Sequence, residues 1–544
     1  MKVSGLSRTE FQRRGTVRYS KRLVWTLSAW ALLAFIAVQA TPNAAAGDQS
    51  VVQTKFGSVR GLDEDGVLKY LGMPYAKPPL GPLRWSNPES PATWTGVRNA
   101  TAFGKVCAQV KELGEFADAS ADEDCLYLNV YAPEGARDRP VMFWIHGGAT
   151  TGRSNDYDGS ALVKEHGVVV VTINYRMGAL GALVHPALDG YGATTLYGLR
   201  DEQFAMQWVK DNIKGFGGDP NNVTIFGEST GATDVLFHLI SPAAKGLFNR
   251  AILHSPARYF TPLVSLADAE AKGKAFAETA GCPDQTAECL RKLPVDKILK
   301  AQGSFGSDCC AALPIDDGHI LTTNIENAIR SGNFNQVPIL ASTTHDEDRW
   351  FQAFFGEVSG GAVIRPEEYS SQLASLYGEN ATKIEDAYPL KDFDSAGGAL
   401  GNVSGDYGAI CQPRSFDIDA SKYVPVFAVE FNDPKSPGIL PAVSFPLLAS
   451  HTHELQYIFP GWKGTYKGQV EPFTSKQEQL AKEMRRVWAT FAEKGTLSPE
   501  FPPVTLKSDP VVSLEPGGLK VIFDFSKVHR CDLWDSIRKW KPVD

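Results

Sequence analysis

Three apolar runs constrain the fold more than any other feature of the sequence. VMFWIHGG (141–148), VVVVTINYR (168–176) and VTIF (223–226) each contain a continuous apolar stretch rather than an alternating one. Continuous runs of this length are typical of strands that are buried on both faces. A segment with apolar residues near helical spacing separates the second run from the third and ends at the glycines of GFGG (215–218). Strand, helix and strand in succession predict a parallel sheet with right-handed crossovers.

The rest of the chain extends this pattern. VLKYLGMPYA (67–76), VPILAS (337–342) and VPVFAVEF (424–431) are further strand candidates. SKQEQLAKEMRRVWATFAEKG (475–495) is a helix candidate, and a polar, proline-bearing tail follows it. No linker rich in Gly, Ser or Pro divides the chain, and the length suits one large domain. We therefore expect an α/β fold with a large, mostly parallel central sheet flanked by helices, and long insertions within a single domain over residues 47–544.

The N-terminal segment, residues 1–46, is predicted to be separate from that domain. Residues 1–22 hold seven Lys or Arg side chains against one Glu, and the uncharged stretch LVWTLSAWALLAFIAVQA (23–40) follows. A basic segment, an apolar segment and an exit crowded with small residues predict a secretory signal peptide, cleaved after Ala40 or Ala46. The protein is then expected to be secreted or periplasmic. The alternative is an uncleaved membrane anchor, because eighteen apolar-rich residues are long enough to span a bilayer.

Removal of this segment makes the remaining chain more acidic. The whole sequence carries a net charge of −8 at pH 7, and loss of the six net positive charges of residues 1–46 leaves −14. An acidic surface repels nucleic acid and anionic lipid, and no basic stripe in the sequence counters it. The sequence therefore excludes nucleic-acid binding and gives no reason to expect an obligatory membrane partner.

Eight cysteines behind a signal peptide predict disulfides formed in an oxidising compartment. Eight cysteines allow 105 pairings, so the sequence alone does not determine the connectivity. None lies in a CxxC pair, which argues against a zinc site or a thioredoxin-like motif. The adjacent Cys309 and Cys310 could be free thiols, a strained vicinal bridge or partners of an outside group. The other six could pair as Cys107/Cys125, Cys282/Cys289 and Cys411/Cys531.

A short motif follows the third apolar run directly. Residues 227–231, GESTG, match G-x-S-x-G with a strand before them and a helical run after them. The two glycines let the backbone turn sharply, which exposes the serine hydroxyl at the N-terminus of a helix. The alternative, a glycine-rich turn with an incidental serine, is common for the bare motif but much less so in this context. Ser229 is therefore the candidate nucleophile.

A serine hydroxyl is a poor nucleophile unless a histidine accepts its proton and a carboxylate orients that histidine. In this strand–turn–helix context the acid and then the histidine follow the serine along the chain. Histidines that follow Ser229 include His254, His319, His345, His451, His453 and His529.

The segment HGGA (146–149) lies at the C-terminal end of the first apolar run. The negative charge of a tetrahedral intermediate needs backbone N–H donors aimed at it, and small residues let the main chain approach a substrate oxygen. The alternative is an ordinary turn. Its occurrence together with the serine motif favours an oxyanion hole.

Longer motifs indicate a family. Six stretches occur in one order: YLGMPYAKPPLGPLRW, EDCLYLNVYAP, FWIHGG, VVVVTINYRMGALG, YGLRDEQFAMQWVKDNIKGFGGDPNNVTIFGESTGA and GLFNRAIL. With them the chain resembles the carboxylesterase type B family, the cholinesterase-like branch of the α/β-hydrolases, over roughly residues 50–540. The resemblance implies an α/β-hydrolase fold and hydrolysis of small carboxylic esters, with no metal and no organic cofactor required.

The resemblance also implies the two partners of Ser229. The family's acid lies in D-E-G-x-x-F after a V-P-I-L strand; HDEDRWF here gives that role to Glu347, with Asp348 at the glycine position. The family's histidine lies in H-G-x-E; HTHE here gives the role to His451, with Thr452 at the glycine position. The rival candidates are Asp346, Asp348 and His453.

By the same matching, the oxyanion donors are the backbone N–H groups of Gly148, Ala149 and Thr230. Ser255, in ILHSP, resembles a serine that lies near the triad in the family, although a plain turn serine is an equal alternative. The family's three disulfides match Cys107–Cys125, Cys282–Cys289 and Cys411–Cys531 and leave Cys309 and Cys310 outside the pattern.

Substrate preference is constrained by two sets of aromatic residues. Cholinesterases hold a quaternary ammonium on a tryptophan in the loop closed by the first disulfide, whereas Phe116 is the only aromatic in that loop here. Choline esters are therefore not the expected substrates. Four aromatic residues follow Glu347 and form either core packing or an apolar wall for substrate. They are Trp350, Phe351, Phe354 and Phe355.

The predicted activity is ester hydrolysis through an acyl-enzyme on Ser229. Two alternatives remain open at this point. A lipase or an amidase could use the same triad, and some cholinesterase-like proteins are non-catalytic binding or adhesion modules. The occurrence of serine, acid and histidine in the required order favours an enzyme.

Overall fold

A central sheet organises the computed structural model of the protein. The structure describes residues 50–111, 118–191, 196–256, 259–303, 315, 318, 320–464 and 470–538. Asp48–Asp544 forms one compact unit. Some sequence predictions lie outside the described residues: the signal peptide at 1–46, Phe116, Cys309 and Cys310.

The strands are β1 (Val51–Gln53), β2 (Ser58–Arg60), β3 (Leu62–Glu64), β4 (Val67–Pro74), β5 (Val97–Asn99), β6 (Tyr127–Pro133), β7 (Arg139–Ile145), β8 (Val169–Ile173), β9 (Gly218–Glu228), β10 (Arg250–His254), β11 (Ile339–Thr344), β12 (Val426–Phe431), β13 (Val511–Glu515) and β14 (Gly518–Ile522). Eleven of them form the central sheet in the order β14-β13-β12-β11-β10-β9-β7-β8-β6-β4-β3, and β1-β2-β5 form a small separate sheet.

The central part of this sheet is parallel and both ends are antiparallel. Neighbouring strands are parallel from β8 through β7, β9, β10, β11 and β12 to β13. Strands β6, β4 and β3 add antiparallel pairs at one end, and β14 adds one at the other. The sequence prediction of a large, mostly parallel sheet is confirmed.

Helices flank the sheet and fill the insertions. They are α1 (Ser160–His166), α2 (Gly178–Ala182), α3 (Tyr197–Asn212), α4 (Thr230–Ile240), α5 (Leu266–Ala280), α6 (Ala287–Lys292), α7 (Val295–Ala301), α8 (Ile325–Ser331), α9 (Arg349–Phe355), α10 (Tyr369–Tyr377), α11 (Ala381–Ala387), α12 (Ala396–Gly405), α13 (Cys411–Ala420), α14 (Leu455–Ile458), α15 (Ser475–Lys494), α16 (Phe525–Val528) and α17 (Cys531–Ile537). Within the described ranges, no helix combines the length and apolar character needed to cross a bilayer.

The apolar runs form central strands because both faces of the sheet are covered. In β7, Val141, Phe143 and Ile145 belong to one hydrophobic cluster, and Met142 and Trp144 belong to another. All five side chains are fully buried. Consecutive side chains of a strand point to opposite faces, so a strand between two cores must be apolar throughout, as the sequence predicts.

The last two strands were not predicted from the sequence. β13 and β14 form an antiparallel hairpin in the part of the chain interpreted as a polar, proline-bearing tail. Gly517 in its turn and Gly518 at the start of β14 have φ values of 128° and 148°, which only glycine adopts readily. β14 is only partly buried along its length, so it lacks the continuous apolar run that marks the other strands.

Three disulfides have the pairing that the family resemblance implied. Cys107–Cys125 closes a loop before β6, Cys282–Cys289 joins the end of α5 to α6, and Cys411–Cys531 ties α13 to the C-terminal helix α17. The third bridge spans 120 residues of sequence.

Candidate active site

Ser229 occupies the single residue between β9 and α4. Its backbone has φ 56° and ψ −120°, a conformation that costs an L-residue free energy and is found mainly where a site requires it. The Ser229 N–H donates to the carbonyl of His254 on the neighbouring strand β10, at 3.0 Å. The serine is therefore held on a strained strand-to-helix turn at the start of an eleven-residue helix.

The two glycines of the motif are required by close backbone contacts. A Cβ on Gly231 would lie 2.1 Å from the carbonyl oxygen of Ile145, and one on Gly227 would lie 2.6 Å from the backbone of Gly231. Neither contact can be relieved by rotating a side chain. The end of β7 therefore packs directly against the serine turn, and this packing brings the 146–149 segment beside Ser229.

His451 and Glu347 form a hydrogen-bonded pair. Nδ1 of His451 lies 2.8 Å from Oε2 of Glu347, and both side chains are buried. The other carboxylate oxygen of Glu347 accepts from the N–H of Thr344, at 2.8 Å. The N–H of His451 donates to the Glu347 carbonyl at 3.1 Å. Glu347, which follows β11, thus holds His451 through both its carboxylate and its backbone carbonyl.

Glu228 is a further neighbour of the same imidazole. Its Oε1 lies 3.0 Å from Nε2 of His451, and the Glu228 side chain is fully buried. In the described part of the chain no hydrogen bond joins the Ser229 hydroxyl to His451. The sequence motif contains Glu228, but no role was predicted for it. Its position next to the candidate nucleophile was the one sequence feature that could have indicated a role in the site.

The two carboxylates determine the charge state of this imidazole. Burial alone lowers the pKa of His451, but the attraction of Glu228 and Glu347 outweighs it and holds the pKa well above its usual value. Burial raises the pKa of the Glu228 carboxyl, and His451 opposes that shift. The group of three therefore holds a proton on His451 more tightly than an isolated histidine would.

The rival candidates have other contacts. Asp346 accepts from the N–H of Ala449 at 3.2 Å and from the side chain of Asn402 at 3.2 Å, so it supports the segment that leads to His451. Nδ1 of His453 lies 2.8 Å from the carbonyl of Leu448, and burial lowers the pKa of His453 to about 4. Neither side chain takes part in the contacts around Glu347 and His451 described above.

The two departures from the family's glycines differ in consequence. Asp348 has φ −86°, so its turn needs no glycine, and burial raises the pKa of its carboxyl to about 6. Thr452 has φ 71°, a conformation that is a real outlier for a β-branched residue. Its buried hydroxyl also has no hydrogen-bond partner among the described residues. Thr452 is therefore a strained position beside His451.

The backbone of the predicted oxyanion segment has an unusual conformation. Gly148 and Ala149 both have positive φ, 111° and 60°. The N–H of Ala149 donates to the hydroxyl of Thr230 at 3.0 Å. The hydroxyl of Thr230, one predicted donor residue, thus accepts the hydrogen bond of the N–H of another.

Gln109 supports this segment from the loop of the first disulfide. Its Oε1 accepts from the N–H of Gly152 at 2.6 Å, and its Nε2 donates to the Gly152 carbonyl at 3.2 Å. Gln109 is 1% exposed and lies two residues after Cys107. The Cys107–Cys125 bridge therefore fixes the position of the segment that follows the predicted oxyanion donors.

The aromatic residues after Glu347 divide between the two interpretations. Trp350 and Phe354 are buried in the core, whereas Phe351 is half-buried and Phe355 is exposed. The ring of Phe351 lies 4.8 Å from that of His451, and it stacks on Phe355 at 6.0 Å. Phe351 thus gives His451 an apolar neighbour, and Phe355 extends this apolar surface.

Ser255 follows β10 and is buried, with φ 50°. Its N–H donates to the carbonyl of Ser342 at 2.7 Å. Within the described ranges its hydroxyl makes no hydrogen bond to Ser229, Glu347 or His451.

Comparison with known proteins identifies the family to which this site belongs. The model of the family described as "Carboxylesterase family" matches residues 48–534. The chain belongs to the carboxylesterase family. It is 34% identical to fumonisin B1 esterase of Sphingopyxis macrogoltabida, over 86% of this chain and 86% of that protein. It is also 34% identical to para-nitrobenzyl esterase of Bacillus subtilis (strain 168), over 83% of this chain and 91% of that one.

Solved structures agree with this assignment. A PNB esterase structure superposes with a TM-score of 0.73 at 31% identity, covering 89% of this chain and 100% of that one. The α/β-hydrolase fold predicted from the family resemblance is confirmed, and the protein is a carboxylic ester hydrolase. Its place in a family of esterases argues against the binding or adhesion module.

Proposed function

We propose that the protein hydrolyses small carboxylic esters through an acyl-enzyme on Ser229, with His451 as general base and Glu347 as the acid that orients it. The observation that carries the proposal is the 2.8 Å contact between Nδ1 of His451 and Glu347, in a chain whose Ser229 lies on a strained strand-to-helix turn. A base oriented in this way can accept a proton at its other nitrogen.

The proposed steps are those of a serine hydrolase. Nε2 of His451 accepts the Ser229 proton as Oγ attacks the ester carbonyl, and Glu347 stabilises the imidazolium that forms. The backbone N–H groups of Gly148, Ala149 and Thr230 stabilise the oxyanion. His451 returns the proton to the leaving alcohol, and water then hydrolyses the acyl-enzyme by the same route. Each step uses groups of this chain.

The substrate is proposed to present an apolar group next to the histidine. Phe351 borders His451 and Phe355 stacks on Phe351, and an apolar acyl or alcohol group would bury surface against them. The relatives named as esterases of fumonisin B1 and of p-nitrobenzyl esters support an ester of a small molecule as the substrate class of this chain.

The experiment is hydrolysis of p-nitrophenyl esters of increasing acyl length by wild type and by Ser229→Ala. Loss of the nucleophile is expected to reduce kcat by about 10⁴- to 10⁶-fold. Ser370→Ala, at an exposed serine that donates to Glu385, is the matched control and should retain full activity. Equal activity of wild type and Ser229→Ala would refute the proposal.

We also propose that residues 1–46 are a cleaved signal peptide and that residues 47–544 form one mature domain outside the cytoplasm. The three disulfides support an oxidising compartment. Mass spectrometry of the exported protein should give an N-terminus directly after Ala40 or Ala46. A product that retains residue 1 would instead indicate an uncleaved anchor.

A further inference from the structure

A second cluster of chemically active side chains lies close to the acid of the proposed triad. His345 directly follows β11, Glu430 lies in β12, and His529 lies between α16 and α17. Oε1 of Glu430 is 3.1 Å from Nδ1 of His345 and 2.7 Å from Nε2 of His529. The three atoms all lie within 4.8 Å of one another. Two imidazoles and one carboxylate from three distant parts of the chain thus lie next to one another.

These separations are close to those of a metal site. Ligand atoms at about 2.0–2.2 Å from a tetrahedral Zn²⁺ ion are separated from each other by about 3.4 Å. The observed 3.1 Å and 2.7 Å would have to open slightly, and the two imidazole nitrogens lie within 4.8 Å of each other. Two histidines and one glutamate are also a donor set that zinc proteins use when a fourth position stays open.

The surroundings of His529 match those of a metal ligand. Its Nδ1 lies 2.6 Å from Oδ1 of Asp406, and Oδ2 of Asp406 accepts from the hydroxyl of Tyr388 at 2.7 Å. A histidine that binds a metal through one nitrogen almost always bonds a carboxylate or carbonyl through the other. Asp406 therefore fixes the ring so that Nε2 points toward Glu430.

Two polar atoms of the cluster lack hydrogen bonds in the described part of the chain. Glu430 is fully buried, and its Oε2 has no hydrogen-bond partner there. Nδ1 of His345 is near Glu430 but does not meet hydrogen-bond geometry. Each such buried group needs a partner, and an ion is one of the partners that can supply the missing interaction. The side chain of His345 is 29% exposed, which gives an ion a path from solvent.

We propose that His345, Glu430 and His529 bind one divalent transition-metal ion of the zinc class. Binding takes the lone pair of His529 Nε2, so the proton shared there with Glu430 passes to solvent. The ion takes no part in ester hydrolysis. It connects β11 and β12 to the C-terminal segment that carries Cys531, two residues after His529, and so holds that segment against the sheet behind Glu347.

The test is calorimetric titration of the untagged, chelator-treated mature protein with ZnCl₂. Wild type is expected to bind one ion per chain with a Kd on the order of 1 µM or lower. His345→Gln removes a partly exposed ligand and should fold normally, while weakening binding at least about tenfold. Asp406→Asn should weaken it by about 10- to 100-fold through the loss of ring orientation. Glu430→Gln removes the carboxylate ligand and should also weaken zinc binding.

A matched control is available in His166→Gln. His166 also lies beside a carboxylate, 3.7 Å from Glu165, and its side chain is 21% exposed, but it has no place in the cluster. This variant should bind zinc as wild type does. The melting temperature provides a second readout, because an ion that binds only the folded state raises it; the rise should occur in wild type and be lost in His345→Gln.

Two results would overturn the proposal. One is wild-type protein that binds no zinc with a Kd below about 100 µM, which would make the cluster a hydrogen-bonded ion-pair network only. The other is equal binding by wild type and His345→Gln, which would place the ion elsewhere. Ester hydrolysis is measured separately, and loss of zinc binding leaves the proposed role of Ser229 untouched.

Discussion

Oε1 of Glu228 lies 3.0 Å from Nε2 of His451, so both nitrogens of this imidazole face a carboxylate. Glu347 lies 2.8 Å from Nδ1, where the proposed triad places the orienting acid. Glu228 instead lies at the nitrogen that would accept the proton of Ser229 in the proposed mechanism. The residue next to the nucleophile therefore controls the pKa of the proposed base, and the pH dependence of hydrolysis should report it.

Glu228→Gln is expected to move the acid limb of the kcat/KM profile to lower pH. The Glu228 carboxylate helps to raise the pKa of His451, and only unprotonated His451 can act as a base. Hydrolysis therefore falls as pH drops below that pKa. Removing this negative charge lowers the pKa of His451, so activity should persist to lower pH.

The measurement is a pH–rate profile with a p-nitrophenyl ester. Glu483→Gln, which removes a surface carboxylate paired with Arg486, serves as the control and should leave the profile in place. An acid limb that stays fixed, or moves to higher pH, in Glu228→Gln would contradict the assigned role of Glu228.

Thr230→Ala is expected to increase the rate. The Thr230 hydroxyl accepts the N–H of Ala149, which a substrate oxyanion would have to take over. A neutral hydrogen bond contributes about 0.5–1.5 kcal/mol net, so removing this competitor should raise kcat/KM by up to about tenfold. Thr230→Ser keeps the hydroxyl and should remain near wild type. A fall in kcat/KM in Thr230→Ala alone would show that the hydroxyl assists catalysis.

Thr452→Gly is expected to stabilise the fold. Thr452 has φ 71° and a buried hydroxyl without a hydrogen-bond partner in the described residues. Relief of the left-handed strain is worth about 1–2 kcal/mol, and the greater freedom of glycine in the unfolded chain offsets about 0.4–1 kcal/mol of it. We expect a gain of about 1 kcal/mol in denaturant unfolding. Thr452→Ala keeps the strain and should gain less; a greater gain for alanine would argue against backbone strain.

Loss of the long-range disulfide should destabilise the protein more than loss of the short one. In the chain-entropy account, a bridge spanning 120 residues stabilises by about 5 kcal/mol and one spanning 7 residues by about 2 kcal/mol. The double variants Cys411→Ser/Cys531→Ser and Cys282→Ser/Cys289→Ser provide the comparison in thermal unfolding. Equal losses would mean that strain or residual structure, rather than loop length, governs both bridges.

The sequence predicted those parts of the fold whose physical cause is local. β7, β8 and β9 were found because a strand between two cores must be apolar throughout. Glu347 and His451 were assigned because family motifs mark the segments after their strands. The hairpin β13–β14 was missed because its outer strand is only partly buried and resembles a polar tail.

Contacts between segments distant in the chain could not be predicted in this way. The position of Glu228 beside His451 depends on the electrostatic interaction between these two buried side chains. The hydrogen bond from Ala149 to Thr230 depends on how closely β7 approaches the serine turn. The same holds for His345, Glu430 and His529. Each residue has an ordinary local context, and only the folded sheet brings them together.

The central claim is that Ser229 is the nucleophile. The most direct measurement is reaction of the mature protein with a fluorophosphonate, followed by peptide mass mapping of the adduct. We expect one adduct, on Ser229, formed in parallel with loss of ester hydrolysis and absent from Ser229→Ala. An adduct on another residue such as Ser255, or complete inactivation with Ser229 unmodified, would contradict it.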